Sequence, residues 1–520
     1  MTDTLHKRIE WLQRQADKPF ADMLTGVEKE SLRVTADGRL SQRPHPEELG
    51  SALTNQYITT DFSEALLEFV TPTFKTPTET RECLLDIHQF AQPRLGDAVL
   101  WNASMPCRLG AESEIPIAEY GSSNVARMKT IYRRGLSHRY GRAMQTIAGV
   151  HFNFSVPVGF WDYCSPMLGV SDSADDLRSQ GYLALARNFR RMAWLVLYLF
   201  GASPAMCRSF LGDRATSLAE FDSDTLFEPY ATSLRMSDLG YNNSAQASLV
   251  VSLNSLSDYI DQLTSAIMTS HPPYQSIGIE VGGQWRQLNA NLLQIENEYY
   301  SSVRPKQVAR SGERPTLALQ RDGVAYVEIR ALDINPFDPV GVTDEQMRFM
   351  QVLLVSCLLR PSRMLDDDQL HEAAANQLLV AHSGRAPALE LQRFGKRIGL
   401  REWALELFDE FDAVAEILDT DGHQYRDAVA HQREVLLETA ESPSARVLRE
   451  MREQSASFVE YTLNQSQSHA AELERRPPIP DDRLQALRRE VVESVQRQTD
   501  LESRPQQRFA DYLADYFRLG

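Results

Sequence analysis

The segment GVHFNFSVP, residues 149–157, alternates between apolar and polar side chains. Successive side chains of an extended chain leave opposite faces, so Phe152 and Phe154 would share one face, and His151 and Asn153 the other. This alternation predicts a strand of an antiparallel sheet with one buried face. The polar face carries a histidine and an asparagine instead of the lysine or threonine expected of a plainly solvated surface.

Other segments present carboxylates in the same way. In YVEIRAL, Glu328 and Arg330 share the polar face of a predicted strand, and in ALLEFVTP Glu68 projects from an otherwise apolar strand. In GVEKESLRV, Glu28 and Glu30 are two residues apart, and Lys29 between them would point away and have no functional role. Gathered on one sheet face, the candidate site would contain Glu28, Glu30, Asp61, Glu68, His151 and Glu328, with Asn153 and Arg330 among them. Taken singly, a pair of polar residues on a strand more often lies on the solvent-exposed face of a sheet than in a functional site. The sequence also does not show that these strands adjoin.

So many carboxylates on one face would repel one another unless divalent cations hold them. Oxygen ligands with a single imidazole suit Mg²⁺ or Mn²⁺, whereas zinc would require more cysteine or histidine. Magnesium held by carboxylates commonly clamps nucleotide phosphates, and Arg330 would add a fixed positive charge. The sequence contains neither a GxxxxGK loop nor a GxGxxG after a predicted strand, so an ATP site would have to be built from the sheet and its metals.

Composition excludes several classes of protein. With 520 residues, 42% of them hydrophobic, the chain can bury a large core. Its net charge of −17 argues against nucleic acid or an anionic membrane as a partner. Five scattered cysteines without close pairs favour a reducing, cytoplasmic location. The most apolar stretch, residues 192–206, is too short to span a bilayer and predicts a buried helix.

The organisation of the chain changes near residue 380. Before it, short alternating strands recur among helices, including strands expected near residues 275–297. After it, segments such as LREWALELFDEFDAVAEIL are helical, and RRPPIP separates two of them. We therefore expect an α+β catalytic domain over residues 1–380 and a mainly helical C-terminal region over residues 381–520.

Long strings spread over about residues 20–345 resemble one known family. These strings, in chain order, are similar to the glutamate–cysteine ligases of the proteobacterial type: TGVEKESLRV, TTDFSEALLEFVTP, GVHFNFS, TSLRMSDLGY, NLLQIENEYY, RPKQVARSGE and YVEIRALDINPFDPVGV. The resemblance implies a fold related to glutamine synthetase, in which a curved antiparallel sheet forms an active-site funnel. It also implies ATP-dependent joining of the γ-carboxylate of L-glutamate to the amine of L-cysteine through γ-glutamyl phosphate, the first step of glutathione synthesis. A monomer with glutathione as feedback inhibitor is expected.

The resemblance also implies residue roles. The metal-binding positions would be Glu28, Glu30, Asp61, Glu68, His151 and Glu328, and Arg330 with Glu328 would act at the reacting phosphate. The residues around the substrates would be Tyr132, Arg133, Arg235, Tyr241 and Tyr300. By the residues alone, each tyrosine could equally be a packed aromatic, and Arg133 a surface charge like its neighbour Arg134. Lys306 could steer ATP or be solvated.

Three alternatives stay open. A metal-dependent hydrolase could use the same carboxylates to activate water, and would turn over without nucleotide. A non-catalytic Ca²⁺-binding protein usually takes its ligands from one short loop, unlike the widely spaced segments here. A related ligase could join glutamate to a different amine.

Overall fold

The computed structural model describes residues 2–14, 18–168, 174–240, 249–310, 312–420 and 422–518. The strands are β1 Leu24–Val34, β2 Ile58–Thr60, β3 Leu66–Val70, β4 Val99–Leu100, β5 Val150–Ser155, β6 Ala205–Cys207, β7 Ala219–Glu220, β8 Thr225–Phe227, β9 Glu280–Val281, β10 Gln284–Trp285, β11 Val303–Lys306, β12 Tyr326–Leu332, β13 Glu390–Arg393 and β14 Lys396–Gly399. The helices are α1 Thr2–Gln13, α2 Pro77–Ala91, α3 Asn124–Tyr140, α4 Val158–Leu168, α5 Ala174–Phe200, α6 Leu256–Met268, α7 Pro272–Gln275, α8 Pro315–Asp322, α9 Asp344–Leu359, α10 Asp367–Ser383, α11 Leu400–Leu418, α12 Gln424–Leu436, α13 Pro443–Gln454, α14 Phe458–Arg475, α15 Asp481–Ser503 and α16 Phe509–Phe517.

The main sheet is antiparallel and runs in the order β11, β12, β5, β1, β3, β2, with β4 paired to the far end of β1. The four strands predicted to carry the polar residues, β12, β5, β1 and β3, are direct neighbours. The hypothesis that these segments adjoin is therefore confirmed. The architecture is a mixture of helices and antiparallel sheet, as the α+β prediction required.

The apolar face of this sheet is covered by helices. Phe152, Phe154, Val327 and Ile329 are almost fully buried, as the alternation predicts. Helix α5 packs on β11 and β12, and α2 packs on β1 and β3. Of the apolar stretch 192–206, the part up to Phe200 forms the buried end of α5, which confirms the prediction of a buried helix there. The remaining residues leave the helix and enter strand β6. No helix in the described part of the chain has the length and apolarity needed to span a membrane.

The region near residues 275–297 is less regular than predicted. It contains only the two short strands β9 and β10, and loops surround them. Gly282 and Gly283, with φ of 60° and 79°, form the two-residue turn between these strands. Both positions need a positive φ, which glycine adopts without a steric penalty. The predicted strand is thus replaced by a small hairpin.

The region after Gly399 is helical in its described residues, and it packs back onto the first part of the chain. Helix α11 contacts α1 and α9, α14 contacts β4 and α2, and α15 contacts α2. Two arginines on or beside these helices pair with Asp86 of α2: Arg476 Nη1 lies 3.3 Å from Oδ1, and Arg483 Nη1 lies 2.6 Å from Oδ2. The domain boundary near residue 380 stays a prediction.

Candidate active site

The register of the main sheet sets the predicted residues side by side. Glu328 of β12 faces Asn153 of β5, and His151 of β5 faces Glu28 of β1. Glu30 of β1 in turn faces Glu68 of β3. Directly opposed residues of neighbouring strands project from the same face. The polar residues therefore form one continuous row across four strands, which we call the polar face.

Glu28 lies at the centre of the polar face. His151 Nδ1 is 3.1 Å from its Oε2, and Asn153 Nδ2 donates to its Oε1 at 2.9 Å. One ligand atom each from Glu28, Glu68 and His151 lie within 4.8 Å of one another. These three side chains are close enough to share one cation.

The neighbouring acidic residues complete this end of the polar face. Glu30 Oε2 accepts a hydrogen bond from the amide of Gly149 at 2.8 Å, and its Oε1 lies 3.9 Å from His151 Nε2. Asp61 follows β2 directly, with its side chain 43% exposed, and Arg133 Nη2 lies 3.9 Å from its Oδ1. Glu28, Glu30 and Asp61 all lie near enough to Glu68 for their charges to act on it. These four carboxylates therefore share one end of the polar face.

The opposite end of the polar face is cationic. Glu328 accepts a hydrogen bond from Lys306 Nζ at 3.2 Å and from Arg330 Nη1 at 3.3 Å, and Arg304 Nη1 lies 3.9 Å away. Arg330 Nη1 also lies 3.3 Å from His151 Nδ1. Arg330 therefore stands between the acidic end and the cationic end, while a buried carboxylate fixes its position.

The two ends shift the pKa values of Glu328 and Glu68 in opposite directions. Burial alone would raise the pKa of Glu328, but the charges of Lys306, Arg330 and Arg304 hold it well below its usual value. Burial, followed by the negative charges of Glu28 and Asp61, raises the pKa of Glu68 well above its usual value. The acidic end is therefore short of positive charge, and the cationic end is not.

The donor set at the acidic end fits a hard divalent cation. It offers carboxylate oxygens and one imidazole nitrogen, which is the ligand chemistry of Mg²⁺ or Mn²⁺. Asn153, which donates to Glu28, has a buried Oδ1 that accepts no hydrogen bond from any described residue. A cation shared by Glu28, Glu68 and His151 would also offset the repulsion that raises the pKa of Glu68.

The predicted substrate residues flank the polar face. Arg235, in the 3₁₀ turn Leu234–Met236, donates from Nη2 to the backbone carbonyl of Arg330 at 3.0 Å. Its Nη1 lies 3.7 Å from Asp333 Oδ1. Tyr300 donates to Met236 Sδ at 3.0 Å, next to Arg235. Arg235 is almost fully buried, so it can meet a ligand only from within the site.

Tyr132 and Arg133 approach from the other flank, on α3. Arg133 donates from Nε to the backbone carbonyl of Asp61, and its guanidinium lies 4.7 Å from the ring of Tyr120. The charges of Arg133 and Asp61 also act on the Tyr132 hydroxyl, whose pKa is raised mainly by burial. Tyr241 lies outside the described residues, so its predicted place in the site is still an expectation.

Three charged residues that the sequence reasoning missed also belong here. Lys129 lies one helical turn before Arg133, where the spacing on α3 could have revealed it, and burial followed by the charge of Arg133 lowers its pKa to about 8. Arg304 lies directly opposite Glu328 in the register of β11 and β12. Asp333, just beyond β12, faces Arg235, and no local pattern signals that contact.

Comparison with known proteins gives a consistent result. A sequence model of the glutamate–cysteine ligase family matches residues 9–380. The glutamate–cysteine ligase of Alcanivorax borkumensis is 46% identical over 97% of this chain and 98% of its own length. That of Pseudomonas putida strain W619 is 48% identical over 96% of both chains.

A solved structure extends the similarity to the fold. The glutamate–cysteine ligase of Francisella tularensis in complex with AMP superposes with a TM-score of 0.90. It is 36% identical and covers 96% of this chain and 98% of its own. The similarity therefore includes the C-terminal helices, which lie beyond the residues that the family model matches.

Proposed function

Since the chain belongs to the glutamate–cysteine ligase family and joins glutamate to cysteine in glutathione biosynthesis, we propose that the polar face is its active site and that ATP drives the reaction. The observation that supports this site is the row of carboxylates on four adjacent strands, bordered by fixed arginines. We also infer that the sheet lines a funnel-shaped site related to that of glutamine synthetase.

ATP is needed because a carboxylate does not react with an amine at neutral pH. Transfer of the terminal phosphoryl group to the γ-carboxylate of glutamate gives γ-glutamyl phosphate, and the free amine of cysteine then displaces phosphate. Each step gathers negative charge at one centre. The complex of the Francisella relative with AMP supports the binding of an adenine nucleotide by this fold.

The residues that would hold Mg²⁺ are Glu28, Glu68 and His151, with Glu30, Asp61 and Glu328 as further ligands at the edges of the polar face. When bound, Mg²⁺ neutralises phosphate charge and aligns the reacting groups. Asn153 orients Glu28 through its hydrogen bond. Orientation of ligating carboxylates by neighbouring hydrogen bonds is a common property of metal sites.

Arg330 would bind the phosphoryl group as it transfers. The position of Arg330 is set by its hydrogen bond to Glu328. Glu328 also pairs with Lys306 and lies near Arg304. A fixed cation at this place requires no reorganisation when negative charge develops. Glu328 thus acts on the reaction both as a candidate ligand and through Arg330.

The amino-acid substrates would bind at the flanks. Arg235 would bind a substrate carboxylate with its planar guanidinium. Tyr132 and Tyr300, together with Tyr241, would surround the cysteine side chain, and Arg133 would hold the α3 side of this pocket in place through Asp61.

Phosphate release tests the reaction directly. The purified protein is incubated with Mg²⁺, ATP and glutamate, with and without cysteine. We expect phosphate release that cysteine strongly stimulates, together with a γ-glutamyl product. ATP-independent turnover would indicate the hydrolase alternative instead.

Competition between amines tests the acceptor. A small pocket gains only about 1 to 3 kcal/mol from one small side-chain group, so discrimination should be graded. We expect 2-aminobutyrate, which replaces the thiol by a methyl group, to be a poorer substrate than cysteine, and glycine to be much poorer. The ratios of kcat/KM measure this order. Equal or better use of glycine would place the chain among ligases for another amine.

A further inference from the structure

The C-terminal helix α16 packs beside the candidate substrate site. Phe509 and Leu513 of α16 are buried in a small apolar cluster with Met128 and Ile131 of α3, and Tyr132 packs against the same cluster. This cluster is separate from the main core. It joins the last helix of the chain to the helix that carries two predicted substrate residues.

Polar contacts fix the same junction. At the start of α3, the amide of Asn124 donates to Gln506 Oε1 at 3.0 Å, and Asn124 Nδ2 donates to the carbonyl of Gln507 at 2.9 Å. The ring of Phe509 packs edge to face against Trp285, with ring centroids 5.0 Å apart. The guanidinium of Arg127, on α3, lies 4.5 Å from the centre of the Phe509 ring. The segment that leads into α16 and the first residue of that helix are therefore held to α3 by specific contacts.

Helix α3 carries two neighbouring stripes of residues, and Tyr132 belongs to the stripe that meets α16. Met128, Ile131 and Tyr132 follow the spacing of three and four residues that makes one helical stripe, and this stripe meets α16. Lys129 and Arg133, four residues apart, lie on the neighbouring stripe and contact the ring of Tyr120. A shift of α3 on α16 would move both stripes together, because a helix moves as a rigid element.

We propose that α16 is a positioning element for the cysteine side of the active site. By holding the apolar stripe of α3, it sets the places from which Tyr132 and Arg133 project. This inference rests on the proposed function, in which Tyr132 lines the cysteine pocket. It gives the C-terminal region a role in substrate binding, although none of its residues needs to contact a substrate.

The test compares two matched leucine-to-alanine variants. Leu513 of α16 and Leu487 of α15 have 5% and 6% exposure, but α15 packs on α2. Leu513→Ala should raise the KM for cysteine about fivefold, because small misplacements of binding groups are costly, and should leave the KM for ATP and glutamate within about twofold. Leu487→Ala should leave all three values within about twofold. Both variants should lower Tm, since both leave a cavity.

Two further variants keep the result interpretable. Leu513→Met nearly preserves the side-chain volume and should restore the KM for cysteine, and it can replace the alanine variant if that one does not fold. Tyr132→Ala tests the pocket itself. If Tyr132→Ala raises the KM for cysteine and Leu513→Ala raises it no more than Leu487→Ala does, the role of α16 is refuted and the pocket stands. If Tyr132→Ala leaves this KM unchanged, the assignment of Tyr132 is wrong.

Discussion

Replacement of Asp333 by Asn should impair substrate binding while the fold is retained. Asp333 is fully buried, and its Oδ2 accepts hydrogen bonds from Ser203 Oγ at 2.6 Å and the amide of Ala202 at 2.9 Å. Its Oδ1 accepts from Ser233 Oγ at 2.9 Å and faces Arg235 Nη1 at 3.7 Å. The carboxylate thus directs the guanidinium that would bind a substrate carboxylate.

The size of the expected effects follows from which contacts of Asp333 an asparagine can still make. Its Oδ1 can accept from Ser203 and Ala202, but its amide group would then turn two N–H donors toward Arg235 in place of a negative charge. Burial raises the pKa of Asp333, so the folded state bears a cost for this charge that Asn removes. Arg235 stays buried without its charged partner, however, so we expect the free energy of unfolding to fall by about 3 kcal/mol. If the buried ion pair contributes as much as a hydrogen bond to a charged group, about 1.5–3 kcal/mol, its loss corresponds to about a 10- to 150-fold loss in kcat/KM.

The assay is steady-state kinetics with each substrate varied in turn. The loss should fall on the kcat/KM of one amino acid more than on that of ATP. Asp338→Asn is the matched control, since Asp338 is also buried and pairs with Arg81 Nη2 at 2.6 Å, away from the polar face. Burial raises the pKa of both carboxyl groups. Wild-type kinetics in Asp333→Asn, or an equal loss in Asp338→Asn, would refute the reasoning.

Two further predictions concern the metal site and a remote histidine. Glu28→Gln should lower activity at least about a hundredfold with Tm near that of the wild type, and full activity at low Mg²⁺ would remove Glu28 from the site. His382 lies 2.8 Å from Glu228 and 2.7 Å from Asp238, and hydrogen bonding to Glu228 first, then to Asp238, raises its pKa. Its contribution to stability is therefore complete below pH 6.5 and lost as pH rises through the raised pKa. In urea unfolding, the deficit of His382→Gln should shrink at alkaline pH, and a deficit independent of pH would contradict this.

The sequence predicted the polar face well because alternation along a strand is a local property. Glu28, His151 and Glu328 lie on the faces that period-two spacing assigns to them. Lys29 does point away from the glutamates, as predicted. It is nevertheless buried, donates to Ser31 Oγ at 3.1 Å and lies 3.3 Å from His88 Nε2, because the opposite face is covered by α2.

The remaining features depend on contacts that are distant in sequence. Asp333 meets Ser203 and Arg235 across about a hundred residues or more, and nothing in the local sequence of any of them indicates this. The register also shifts between Ile329 and Leu332 of β12, and strict alternation does not predict such an irregularity. Strand order, and with it the grouping of the ligands, came only from the structure.

The packing of the C-terminal helices on α2 has a consequence for synthesis of the protein on the ribosome. Asp86 emerges early, whereas its partners Arg476 and Arg483 emerge near the end of translation. Throughout that interval, the side of α2 that α14 and α15 finally cover is exposed to other nascent chains and to chaperones. A product that stops near residue 380 would retain this exposed flank permanently, so premature termination should yield an aggregation-prone fragment even though every residue of the polar face has been made.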